Sequence, residues 1–209
     1  MQPFVSFEGC DGAGKTTLRK AVVRALKERG IAVFAVGQHS WLDIESSRVI
    51  AGVRSGRAMG SKFGLMEAYR RDKHLHYWRN VEPALNTCLV VADRWSLSDA
   101  VYHEVLYGVP AEETLKHYWS DRVPLPDWVI YVHVPVEIAY GRILQRAKHR
   151  RHYERPAELA AIQAVYMRLL GDESPFHRCK TVSYENSASL GMLETFASHI
   201  ATLITAGGK

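Results

Sequence analysis

Phe4-Val5-Ser6-Phe7-Glu8-Gly9-Cys10-Asp11-Gly12-Ala13-Gly14-Lys15-Thr16-Thr17 governs how the rest of the chain is read. A short apolar run, long enough for a strand, ends in a GxxxxGKT pattern, and helical periodicity begins at Lys15. Glycines in such a loop let backbone N–H groups turn inward around phosphate oxygens, at the positive end of the helix that follows. Gly12, Ala13, Gly14, Lys15, Thr16 and Thr17 are therefore expected to cradle phosphate oxygens. Lys15 supplies a point charge at the β- and γ-phosphates, and the Thr16 hydroxyl is a ligand for Mg²⁺. The competing interpretation is a glycine-rich turn that binds nothing; the strand before and the helix after weigh against it.

Working outward, short apolar runs alternate with longer helical patterns along the chain. Strands are expected over residues 4–8, 32–36, 88–92, 128–132 and 180–183. Helices are expected over 15–29, 43–55, 63–85, 97–107, 111–120, 136–146, 156–170 and 188–204. Strands separated by helices point to a parallel sheet covered on both faces, an α/β fold of three layers in a single domain over residues 1–209. Ligands bind such sheets beyond the carboxyl ends of their strands, here after Glu8, Val36, Ala92 and Val134. The third run ends Leu89-Val90-Val91-Ala92-Asp93-Arg94-Trp95. Asp93 at its tip suits Mg²⁺, and the Arg94 fork of donors suits a phosphate, catalytically as well as for binding. The plainer alternative is a capping Asp beside a surface Arg.

Composition removes other classes. Of 209 residues, 47% are hydrophobic and 23% charged, which is ordinary for a globular chain. No apolar run approaches the ~18 residues of a membrane helix. The chain starts without a basic, apolar leader pattern, so a cytosolic location is expected, and Cys10, Cys88 and Cys179 are expected as reduced thiols. Ten histidines show no HExxH or paired ligand spacing. The net charge is +5, and an excess of that size lies between Arg142 and Arg155, where Arg142, Arg146, Lys148, Arg150, Arg151 and Arg155 face only Glu154. So local a cluster fits an arginine-rich lid over about 146–155 that closes on a transferring phosphoryl group, in preference to a surface that coats nucleic acid.

These segments together resemble the thymidylate kinase family. The phosphate loop, Glu82-Pro83-Ala84-Leu85, Asp93-Arg94-Trp95-Ser96-Leu97-Ser98-Asp99-Ala100-Val101-Tyr102, Leu125 through Val132, and Arg146 through Glu154 with Tyr166 beyond recur in that family's order. The resemblance implies a P-loop kinase fold with a five-stranded parallel sheet. It also implies transfer of the ATP γ-phosphoryl group to a deoxynucleoside monophosphate, dTMP first, by a homodimer. Asp11 then faces the deoxyribose hydroxyl, Arg94 the 5′-phosphate and Tyr69 the face of the base. Ser98, Asp99, Tyr102 and Tyr153 approach base and sugar, and Arg146, Arg150 and Arg151 supply catalytic charge.

The chain also departs from that pattern. The usual Arg after the second strand is replaced by Gly37-Gln38-His39-Ser40, and Lys73 stands where an Arg reads the base edge. Asp99 takes a place often held by a neutral residue, so a ligand without a hydrogen-bond donor there is expected to be rejected, and Gln38 in place of the usual Arg is expected to weaken the hold on a monophosphate unless Arg70 or Arg71 reaches in. A modified pyrimidine (a 5-substituted deoxyuridine nucleotide, a nucleoside or a base in DNA) is the alternative acceptor. A non-catalytic nucleotide switch is the alternative class.

Overall fold

β1 (Phe4–Glu8) lies in the middle of one parallel sheet, between β3 (Leu89–Asp93) and β4 (Trp128–His133). β2 (Val33–Val36) and β5 (Lys180–Glu185) are its edges, giving the order β2-β3-β1-β4-β5 with every pairing parallel. The computed structural model describes residues 1–57, 60–147, 150–171, 174–187 and 190–206. β1 is buried at all of its positions, as a strand with helices on both faces must be. Side chains alternate between faces: Val5, Phe7 and Val91 enter the larger core, while Phe4, Val90 and Ala92 enter the smaller one. Register sets Phe7 opposite Asp93, so the loop that follows β1 emerges beside the acid that ends β3.

The helices are α1 (Lys15–Glu28), α2 (Ile44–Arg54), α3 (Lys62–His76), α4 (Glu82–Leu85), α5 (Ser96–Tyr107), α6 (Ala111–Ser120), α7 (Val136–Gln145), α8 (Pro156–Leu169) and α9 (Leu190–Ala206). Expected boundaries hold to within a residue or two except at two places. The single helix expected over 63–85 is interrupted by a π-helical turn, Tyr77–Val81. Pro83 lacks an N–H and its ring crowds the carbonyl four residues back, so the turn widens ahead of it. The start expected at 188 lies outside the described residues, as does Lys148 of the basic run. A third cluster, Ile50, Val53, Leu65 and Tyr69, ties α2 to α3.

Candidate active site

The loop between β1 and α1 has no room for side chains where its glycines fall. Gly12 and Gly14 have φ of 81° and 91°, in the left-handed region. A Cβ at Gly12 would lie 2.3 Å from the Ala139 carbonyl oxygen, and one at Gly14 would lie 2.1 Å from Asn186 Nδ2. The loop is thus clamped between α7 and the turn after β5. Asn186 Nδ2 donates to the Ala13 carbonyl at 2.8 Å, and Arg142 donates to the Asn186 carbonyl at 2.8 Å. The first turn of α1 has neither a side-chain cap nor an acid, which leaves its N–H groups for an anion. Lys15 is buried and donates to the Cys10 carbonyl at 2.6 Å. Burial foremost, then the nearby Arg94 charge, brings its ammonium down to about 8.

Thr16 Oγ1 donates to Asp93 Oδ2 at 3.3 Å, and Arg19 Nε lies 3.5 Å from the same oxygen. A hydroxyl and a carboxylate side by side at the cleft, next to a phosphate cradle, match the hard oxygen set that Mg²⁺ takes when phosphates complete its shell. Thr16 and Asp93 are the residues that would hold it.

Arg94 has φ 74° and its side chain runs back under the phosphate loop. It donates to the Gly9 carbonyl (2.8 Å), Ser98 Oγ (3.1 Å), Tyr166 Oη (3.2 Å), Asp11 Oδ1 (3.1 Å) and Tyr102 Oη (3.0 Å). Tyr102 donates in turn to Asp11 Oδ2 at 2.9 Å. Burial alone would raise the Asp11 carboxyl, but the Arg94, Lys15 and Arg151 charges hold it well below the carboxylate range. Behind Arg94, the buried Glu8 accepts from the Trp95 N–H at 2.9 Å and from Ser98 Oγ. Ser98 therefore faces inward to Glu8, Arg94 and Tyr166 and lies beneath the floor of the cleft. Sequence reasoning missed Glu8; an acid closing an otherwise apolar central strand was the available signal.

The wall opposite the phosphate loop differs from expectation. Lys73 and Asp99 are both fully buried and pair with each other, Lys73 Nζ to Asp99 Oδ2 at 3.0 Å. Two opposite charges excluded from water pair wherever the backbone brings them within reach, since either alone would be costly there. Asp99 is thus no vacant carboxylate, and the Lys73 ammonium is turned away from the cleft. Arg70 is taken by Glu67 and Asp121, each at 2.7 Å, and the exposed Arg71 by Asp43 at 3.1 Å, so neither reaches in. The cation that does line this wall is Arg54, from the last turn of α2. Nothing in its local sequence marks it out. Tyr69 is buried between the His39 and His103 rings, with centroids at 5.4 and 4.4 Å, and borders the recess. Asp72 pins the loop after β2, accepting from the Ser40 and Trp41 N–H groups at 3.1 Å each.

Of the basic run, Arg142, Arg146 and Arg151 line the cleft. Arg146 pairs with the fully buried Glu154, and Arg151 donates to Tyr153 Oη at 2.6 Å, 4.0 Å from Asp11. Arg150 is exposed and donates to Tyr140 Oη at 3.1 Å, on the outside of the cleft. Arg142, read only as part of the charge run, leaves a buried guanidinium nitrogen without a partner beside Gly14.

These groups enclose about 700 Å³, and six basic side chains against two acidic ones line it. A smaller recess of about 20 Å³ opens past Gln38, Arg54, Arg94 and Arg151, among Tyr69, Tyr102, Tyr107 and Tyr153. With so strong a positive field over a helix N-terminus, the cleft suits one task above others: gripping polyphosphate and steadying the charge of a phosphoryl group in transfer. On this sheet order that defines a P-loop nucleotide kinase. Residues 7–187 match the family model described as thymidylate kinase. The chain is 30% identical over 168 residues to the thymidylate kinase of Leptospira interrogans, covering 80% of this chain and 81% of that one. It is 28% identical over 184 residues to that of Fervidobacterium nodosum, covering 83% and 87%. The chain belongs to the thymidylate kinase family and is an ATP-dependent phosphotransferase. Among the described residues, no helix is long and apolar enough to cross a membrane.

Proposed function

We propose that this enzyme phosphorylates dTMP to dTDP. The observation that carries the proposal is the tyrosine-lined recess opening off the phosphate cleft, with Arg94 and Arg151 at the junction. Its four rings offer faces and edges to one pyrimidine, and the two guanidiniums at its mouth favour an acceptor that already bears a phosphate. Arg94 then exchanges part of its hold on Asp11 and Tyr102 for that phosphate, and Asp11 turns to the sugar hydroxyl. The Tyr153 ring packs edge-on to Tyr102 with centroids 5.6 Å apart, and the recess holds about 20 Å³, so a base enters as that lid residue lifts.

Lys15 and the loop backbone hold the β- and γ-phosphates, while Arg142, Arg146 and Arg151 flank the path between donor and acceptor. Thr16 and Asp93 would hold Mg²⁺, which when bound would supply positive charge against the donor phosphates. Lid closure excludes water, so the acceptor oxygen is the nucleophile offered.

The reading is tested by kcat/KM for dTMP, dUMP, 5-hydroxymethyl-dUMP, dCMP and thymidine at saturating ATP·Mg²⁺. dTMP is expected to lead and to exceed thymidine by about 10²-fold or more, since the nucleoside leaves charged donors unmet. Equal use of thymidine would contradict the proposal.

A further inference from the structure

We propose that the acceptor base is selected by the Gln38 side-chain amide, held in one orientation by the buried Lys73–Asp99 pair, with Arg54 beside it, and that this arrangement chooses an imide edge over a cytosine edge. The inference rests on the dTMP reading and names how this site tells one pyrimidine from another.

Both Asp99 oxygens are committed. Oδ1 accepts from Gln38 Nε2 at 2.7 Å, and Oδ2 accepts from Tyr118 Oη at 2.9 Å and Lys73 Nζ at 3.0 Å. Lys73 also donates to the Gln38 carbonyl at 2.7 Å and lies 4.3 Å from the centroid of the Trp95 ring. The pair therefore fixes residue 38 twice, through its backbone and through its side chain. Burial alone would favour a neutral Asp99, but the Lys73 charge and its neighbours hold the carboxyl below its ordinary value. An ionised carboxylate can only accept, so Gln38 must present its NH₂ to Asp99. What remains for the cleft is Oε1, which receives only a long 3.4 Å contact from Arg54. Gln38 and Arg54 line both the cleft and the recess that holds Tyr69.

An acceptor next to a guanidinium matches a thymine or uracil edge, whose N3–H donates to Oε1 while a flanking carbonyl accepts from Arg54. Cytosine places an acceptor at N3 and would set lone pair against lone pair. Were the amide free to turn, it would offer NH₂ to the base and the preference would weaken or reverse. Lys73 and Asp99, expected from the sequence to meet the base, thus act through a third residue: Gln38 touches the base, whereas Asp99 and Lys73 are positioning residues.

The test is the ratio of kcat/KM for dTMP to that for dCMP in the wild type, Gln38→Leu and Asp99→Asn, with folding checked by thermal melting. Gln38→Leu removes the amide at a half-buried wall position and is expected to raise the dTMP KM about tenfold with kcat little changed, lowering the ratio. In Asp99→Asn the side chain both donates and accepts, so Gln38 can turn. The ratio is then expected to fall about tenfold, with dCMP turnover rising in absolute terms. Mere destabilisation would lower both substrates together and leave the ratio unchanged, and an unchanged ratio in either folded variant overturns the inference. If Asp99→Asn does not fold, Gln38→Leu decides alone. A wild type that phosphorylates neither nucleotide refutes the underlying dTMP reading instead, while one that uses dTMP but shows a wild-type ratio in Gln38→Leu refutes only the role given to Gln38.

Discussion

Lys15→Ala is expected to lower the turnover of phosphotransfer by ~10³-fold or more while leaving the fold intact. Lys15 lies at the start of α1, and the cation that would meet the β- and γ-phosphates is lost with it. Its burial makes the sign of the stability effect predictable. A lysine brought to about 8, below its ordinary 10.5, costs stability while charged. That cost is present below about pH 8 and is relieved as pH rises toward the unfolded value, so the alanine variant should be as stable as the wild type at pH 7, or more so. Phosphate oxygens at the ammonium restore the charged form, and nucleotide binding by the wild type should then take up a proton just above pH 8. Calorimetry near pH 8.5 in two buffers of different ionisation enthalpy would register that uptake, and Lys15→Ala should lack it. Near-normal turnover in the variant would remove the loop from the mechanism.

Arg151→Ala carries the second large effect. The guanidinium sits 4.0 Å from Asp11 and reaches cleft and recess alike, between the places assigned to donor and acceptor. Charge delivered there acts on the phosphoryl group in transfer, and arginines so placed are worth ~10³–10⁵ in kcat elsewhere. A loss of at least ~10² in kcat is expected, with the ATP KM changed by less than about threefold. Arg150→Ala is expected to cost less than about tenfold, because that side chain points to Tyr140 on the outside. Arg146 is a poorer probe, since its removal also strips the buried Glu154 of its ion-pair partner. Equal losses at 150 and 151 would mean that the lid works through its overall charge and that the geometry described for it is irrelevant.

The contrast between these two arginines shows where sequence reasoning stops. Short apolar runs separated by helical patterns specify a parallel sheet, because its central strands, buried on both faces, have few other patterns available to them. GxxxxGKT specifies its own backbone, because side chains cannot occupy the positions of Gly9 and Gly14. Direction within a charge run is a different matter. Arg150 and Arg151 are adjacent and chemically identical, and only tertiary packing turns one outward to Tyr140 and the other toward Asp11. The acceptor wall was legible as to residues and illegible as to partners. Lys73 and Asp99 stood out as departures, yet their attraction for each other depends on α3 and α5 lying side by side, 26 residues apart in sequence. Arg54 and Asn186 gave no signal at all. Each acquires its place from a tertiary contact, Arg54 from α2 packing on α3 and Asn186 from the turn after β5 reaching Ala13.

The central claim is that the cleft moves a phosphoryl group from ATP to the phosphate of dTMP and does not merely bind or hydrolyse nucleotide. It is tested most directly by incubating the purified protein with ATP, Mg²⁺ and dTMP and following all four nucleotides by ³¹P NMR. The account predicts ADP and dTDP appearing together in equal amounts, with no inorganic phosphate beyond background and no reaction without dTMP. ATP consumed to ADP and inorganic phosphate with dTMP unchanged, or no turnover despite nucleotide binding, would contradict it.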